Sequence, residues 1–160
     1  DRVKVVNALL ARKEIKINQA TNDGCTPLYI ACQKDHVKVV NALMERKEIQ
    51  INQAMNDGST PLFIACQKDR VKVVNALLAR KEIQINQVTI NGWTPLSIAC
   101  RNGHVKVVKV LLTHKKIDIN TQFNGTTPLK QALQNGHTEI AALLEQYKGA
   151  NIHTCTQSKN

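Results

Sequence analysis

Four copies of Thr-Pro-Leu punctuate this 160-residue chain, at Thr26, Thr60, Thr94 and Thr127, and their prolines are spaced by 34, 34 and 33 residues. The flanks repeat as well, since residues 1–24 nearly recur at 35–58 and again at 69–92. Self-similarity at this period constrains the chain more than any composition does. A unit of such length is one supersecondary element, and it can bury its apolar side only against a neighbouring copy.

Each copy carries its own local instructions. Thr26 is placed to cap a helix, with Pro27 at the first helical position, where a missing N–H costs nothing. The spacing predicts a short helix over about 27–34, packing Leu28, Ile30, Ala31 and Cys32, a turn at Asp35-His36, and a second helix over about 37–46. Val37, Val40, Leu43 and Met44 fall at helical spacing in that second segment. Ile49 and Ile51 then alternate with polar residues toward turns such as Asn56-Asp57-Gly58 and Asn91-Gly92, and such pairs favour hairpins because the turn needs positive φ.

Composition sharpens the picture. Hydrophobic residues make up 42% of the chain but aromatic ones only 3%, so burial falls to Val, Ile, Leu, Ala and Cys in thin layers of small helices. No apolar run approaches the roughly 18 residues of a membrane span. A net charge of +10 permits attraction to nucleic acid, anionic membrane or an acidic protein without choosing between them.

Helix, turn, helix and hairpin in about 33 residues with Thr-Pro-Leu-x-x-Ala resembles the ankyrin repeat. The resemblance covers residues 1–153 and implies an all-α repeat solenoid, a stack of helix-turn-helix pairs joined by β-hairpin loops. The units are a partial repeat at 1–24, then 25–58, 59–92, 93–125 and a cap-like unit at 126–153, followed by a polar tail at 154–160. It further implies a concave face of hairpin tips and first helices, a convex face of second helices, and a non-catalytic scaffold for protein–protein interaction.

Several positions depart from the family pattern. Tyr29, Phe63, Ser97 and Lys130 stand where His is preferred, which places the usual His bonds between repeats in question. Asp35 and Asp69 replace a turn glycine that Gly103 and Gly136 retain. Gln131 replaces the Ile of Ile30, Ile64 and Ile98, as a terminal unit with a polar outer face requires. The last unit reverts to a Gly149-Ala150 loop. The chain starts within a second helix, so Val3, Val6, Leu9 and Leu10 are expected to be partly uncovered. That edge allows end-to-end self-association into an open array.

The expected partner-binding positions are Tyr29, Gln33 and Lys34, then Phe63, Gln67 and Lys68, then Trp93, Arg101, Asn102 and Phe123. Tip positions such as Asn22, Asp57, Ile90 and Asn91 accompany them. Trp, Tyr and Arg are the types enriched in interface hot spots, and Trp93 stands out because a ring at a tip has little to bury against. Tyr29 and Phe63 have an alternative reading, as rings packed between repeats in place of His.

Cys32, Cys66 and Cys100 share one first-helix position, and helices stacked about 8–10 Å apart hold such thiols beyond disulfide reach. They read as small core residues, whereas Cys25 and Cys155 read as exposed. Unpaired thiols point to an intracellular, cytoplasmic location. Lys4, Lys38, Lys72 and Lys106 form one basic ladder on the second helices, and Lys13, Lys47, Lys81 and Lys115 another at the bends. A polyanion could bind there through counterion release. Glu14, Glu48 and Glu82 interrupt the second ladder, and no aromatics interleave for base stacking, so nucleic acid is not favoured. No catalytic triad, phosphate loop or metal spacing occurs, and neither a cofactor nor a metal is expected. Asn18, Asn52, Asn86 and Asn120 read as turn formers.

Overall fold

The computed structural model of the chain describes residues 14–156, with 4, 5, 8, 9 and 12 before them, and side chains as far as residue 150. The expectations for Val3, Val6 and Leu10, for the Cys155 thiol and for the last four residues lie outside the described residues. Val5 and Leu9 are 60% and 45% exposed.

Helices come in pairs. They are α1 (Pro27–Gln33) with α2 (Val37–Met44), α3 (Pro61–Gln67) with α4 (Val71–Leu78), α5 (Pro95–Asn102) with α6 (Val105–Leu112), and α7 (Pro128–Gln134) with α8 (Thr138–Thr156). Thr26, Thr60, Thr94 and Thr127 each accept the backbone N–H three residues on, at 3.0–3.3 Å, with proline at the first helical position. Ser97 closes a capping box, its Oγ accepting the Thr94 N–H at 2.8 Å. Between helices the chain turns through left-handed backbone: Asp35 has φ 58° and Asp69 φ 55°, where Gly103 has 76°.

Helices of seven or eight residues do not persist alone in water, so packing must hold them. First helices stack α1 on α3 on α5 on α7, and second helices stack α2 on α4 on α6 on α8. Leu28, Leu62, Leu77, Leu96 and Leu111 are buried at the centre with Val40, Val74 and Val108. Cys32, Cys66 and Cys100 are fully buried between the stacked first helices and are free thiols.

Adjacent units are also joined by polar bonds that the sequence reading assigned differently. Asn18 donates from Nδ2 to the Glu48 carbonyl at 2.7 Å and accepts the Gln50 N–H at 2.9 Å. Asn52 grips Glu82 and Gln84 in the same way, at 2.8 and 2.9 Å, and Asn86 grips Lys116 and Asp118 at 2.6 and 3.0 Å. These asparagines clamp one unit to the next, beyond any role in shaping their own turns. Bonds between units do not need the missing His either. His104 Nε2 lies 3.0 Å from the Gln67 carbonyl and His137 Nε2 lies 2.9 Å from that of Arg101. Arg70 Nε donates to the Gln33 carbonyl at 3.3 Å.

The stretches between units are tight turns. Among the described residues no named strand forms, and one isolated bridge pairs Phe123 with Thr126. The arms are too short for a ladder. Met55 N–H reaches Ser59 O at 2.9 Å across one tip, and Asn56 N–H reaches Asp23 O at 3.1 Å in the tip of the preceding unit.

The last unit differs from expectation in two respects. Gln131 is 8% exposed, whereas Leu133 is 55% exposed. The Gln131 position faces the preceding unit, since Ile64 and Ile98 are buried there while Ile30 is 43% exposed with no described first helix before it. The outward position is the one Cys32, Cys66 and Cys100 hold, and in this unit it carries leucine. In place of a Gly149-Ala150 loop, α8 continues as helix to Thr156.

Candidate partner-binding face

In the third unit the tip and the end of the first helix come together, Arg101 lying over Trp93. At the third tip, Gly92 has φ 82° and donates its N–H to Thr89 O at 2.8 Å, while Thr89 and Trp93 close the turn through bonds of 3.0 and 3.1 Å. Ile90 N–H bonds Asp57 O of the neighbouring tip at 2.9 Å, which fixes where Trp93 points. At the fourth tip, Phe123 and Thr126 exchange bonds of 3.0 and 2.9 Å around Asn124, whose φ is 46°.

These two turns bring their rings together. Trp93 stacks on Phe123 with centroids 3.9 Å apart and planes 26° from parallel. The Arg101 guanidinium, from the end of α5, lies 5.1 Å from the Trp93 ring centroid, within cation–π range. Both rings are half-buried and Arg101 is exposed. The tip ring therefore does have something to bury against, namely the ring of the next tip. In the segment leading to Trp93, Ile90 is 76% exposed and Val88 45% exposed.

The remaining expected positions divide. Tyr29 and Phe63 are 6% and 5% exposed, so they lie between units and support the face from beneath. Burial, with the nearby Asp57 carboxylate second, pushes the Tyr29 hydroxyl up to about 12. Lys34 and Lys68 are exposed at the ends of α1 and α3, and neither has a carboxylate within ion-pair range among the described residues. Gln33 and Gln67 are half-buried and give their carbonyls to the following unit. Asn102 is exposed and donates to the Gln67 carbonyl at 3.2 Å. Val88 escaped the sequence reading, although a signal existed: Val88-Thr89-Ile90 replaces Ala54-Met55-Asn56 in an otherwise near-identical unit.

The opposite side is more evenly balanced than its lysine count suggests. Arg46 pairs with Glu48 at 2.8 Å and Arg80 with Glu82 at 2.6 Å. A bond from its own backbone N–H, and then the Arg46 guanidinium, holds the Glu48 carboxyl below the usual range. Arg80 also bonds the Met44 carbonyl, so it ties its own bend to the one before. Lys109 pairs with Glu139 at 2.8 Å.

Among the described residues no group of three or more His, Cys, Asp or Glu is placed to hold a metal ion, and no helix is long and apolar enough to cross a membrane. Burial pushes the Cys100 thiol up to about 12 and raises those of Cys32 and Cys66 as well, which makes all three poor nucleophiles.

A family model described as ankyrin repeats (3 copies) matches the chain over residues 1–89 and 81–155. A search of curated proteins finds no match.

Proposed function

The chain belongs to the ankyrin-repeat family, whose members are in general protein–protein interaction modules, and from that premise we propose that it is a non-catalytic scaffold gripping a partner protein through its tips and first helices. The observation that carries this reading is the cluster of Trp93, Phe123 and Arg101, with Ile90 of the same turn exposed. An aromatic pair with a cation over it and an exposed aliphatic side chain in the same turn has the composition of an interface hot spot. Lys34, Lys68 and Asn102 extend the face along the stack, with Tyr29 and Phe63 beneath it. The three buried free thiols support an intracellular, cytoplasmic setting, where cysteines stay reduced.

The test is capture of partner from extracts of the source cells on the immobilised chain, compared with two variants. Trp93→Ala with Arg101→Ala should weaken capture by at least about 1 kcal/mol per hot-spot residue. Lys38→Gln with Lys72→Gln and Lys106→Gln should leave it unchanged. Loss in the lysine variant alone would transfer the function to the second-helix side.

A further inference from the structure

We propose that the partner segment is acidic, carries an apolar side chain, and seats on the third and fourth units. This rests on the face proposed above and names what that face selects. It comes from a comparison between units of the same repeat. On the second-helix side α4 and α6 both begin Val-Lys-Val-Val. The changes there fall further on, where Asn75, Arg80 and Glu82 become Lys109, His114 and Lys116, and Lys109 is paired with Glu139. The tip side changes sharply. Asn56-Asp57-Gly58-Ser59 becomes Ile90-Asn91-Gly92-Trp93, and Gln67-Lys68-Asp69 becomes Arg101-Asn102-Gly103.

The exchange alters charge as well as shape. Before the third unit Asp23, Asp35, Asp57 and Asp69 sit at tips and turns, Asp35 and Asp69 next in sequence to Lys34 and Lys68. Between Glu82 and Glu139 the one acidic residue is Asp118. Its carboxylate is taken by the Asn120 N–H at 2.8 Å and the Thr121 hydroxyl at 2.7 Å. Unit four adds Lys130, exposed, at the position of Tyr29 and Phe63. Arg101 and Lys130 have no carboxylate within ion-pair range among the described residues.

Arg101 is well prepared for one. Its guanidinium lies 5.1 Å from the Trp93 ring centroid, and the donor edge of a guanidinium matches a carboxylate in a two-pronged bond. Apolar surface next to a charge excludes water and strengthens the pair. Ile90, three residues before Trp93 in the same turn and 76% exposed, offers an apolar side chain of the same segment a surface to cover. A nucleic acid is the competing occupant. Two cations are few for binding driven by counterion release, which scales with the phosphates neutralised.

Trp93 is the chain's single tryptophan, so its emission reports on this site. Short random displayed peptides would be selected on the full chain and then titrated against it by Trp93 fluorescence. The expected outcome is peptides rich in Asp and Glu with at least one aromatic or branched aliphatic residue. Their affinity should fall roughly tenfold in Arg101→Gln and hold in Lys106→Gln. Arg101 and Lys130 are exposed, and circular dichroism of the Arg101→Gln and Lys130→Gln chains should match the parent. Neutral or basic peptides that still shift Trp93 emission would overturn the acidic assignment while leaving the face standing. Peptides that leave Trp93 emission unchanged and lose affinity in Lys72→Gln or Lys106→Gln would overturn both. So would a selection that enriches nothing over an unrelated chain. Binding of oligo-thymidylate as tight as the best acidic peptide would overturn the choice of a protein segment.

Discussion

At the scale of single residues, the asparagine that recurs before each tip has the largest consequence for the fold. Asn52 spends both ends of its amide on the next unit, at 2.8 and 2.9 Å, whereas the side chain of Asn120 makes no hydrogen bond among the described residues. Asn52→Ala leaves a carbonyl and an N–H without their partner and should cost about 1–2 kcal/mol in urea unfolding. Asn120→Ala should stay within about 0.5 kcal/mol, as surface substitutions usually do. Equal effects of the two would dispose of the clamp. The turn residues between helices show the same local economy. Asp35 and Asp69 adopt positive φ without glycine's freedom, while Gly103 has a second reason to be glycine. A Cβ there would lie 2.6 Å from the His137 ring, which is itself held on the Arg101 carbonyl.

At the scale of the element, a first helix is a capped two-turn segment whose thiol column faces the next layer. The thiols ionise near 9.0 in an unfolded chain, but burial pushes Cys100 up to about 12 and lifts Cys66 well above its ordinary value. Tyr29 is likewise raised from 10.0 to about 12. A raised folded-state pKa stabilises fully below the unfolded pKa, and that contribution is lost as pH climbs toward the folded one. Stability should therefore hold to about pH 9 and then fall, by up to about 1.4 kcal/mol per pH unit for each thiol. Urea midpoints across that range check it, and Cys66→Ala should flatten the decline. A midpoint independent of pH above 9 would contradict burial of the column.

At the scale of the whole molecule, the stack is built of nearly interchangeable layers. Removing residues 59–92 would bring α1 against α5 and put Asn52 opposite the Lys116 carbonyl and the Asp118 N–H, contacts of the kind each layer already makes. The shortened chain should fold cooperatively with reduced stability and a smaller denaturant slope, because less surface is buried. Loss of its helical circular dichroism would mean that the layers are less alike than their sequences. The third and fourth tips differ most from the other copies, and the proposed recognition is assigned there for that reason.

The sequence by itself determined the period, the pairing of helices, the threonine caps, the left-handed turns and the burial of the three cysteines. All of these follow from contacts within one unit, or from repeating one unit. It also brought Trp93, Phe123 and Arg101 into the same list, through residue type and position. Which rings meet was decided by the tertiary structure. The bond from Ile90 to the neighbouring tip aims Trp93, and the Phe123 turn carries a second ring to 3.9 Å from it across 30 residues of sequence. Tertiary packing also buried Tyr29, Phe63 and Gln131, exposed Leu133, and made the asparagines into clamps. Each of those outcomes depends on what the adjacent layer covers, and a helix's own sequence does not say which of its sides a neighbour will occupy.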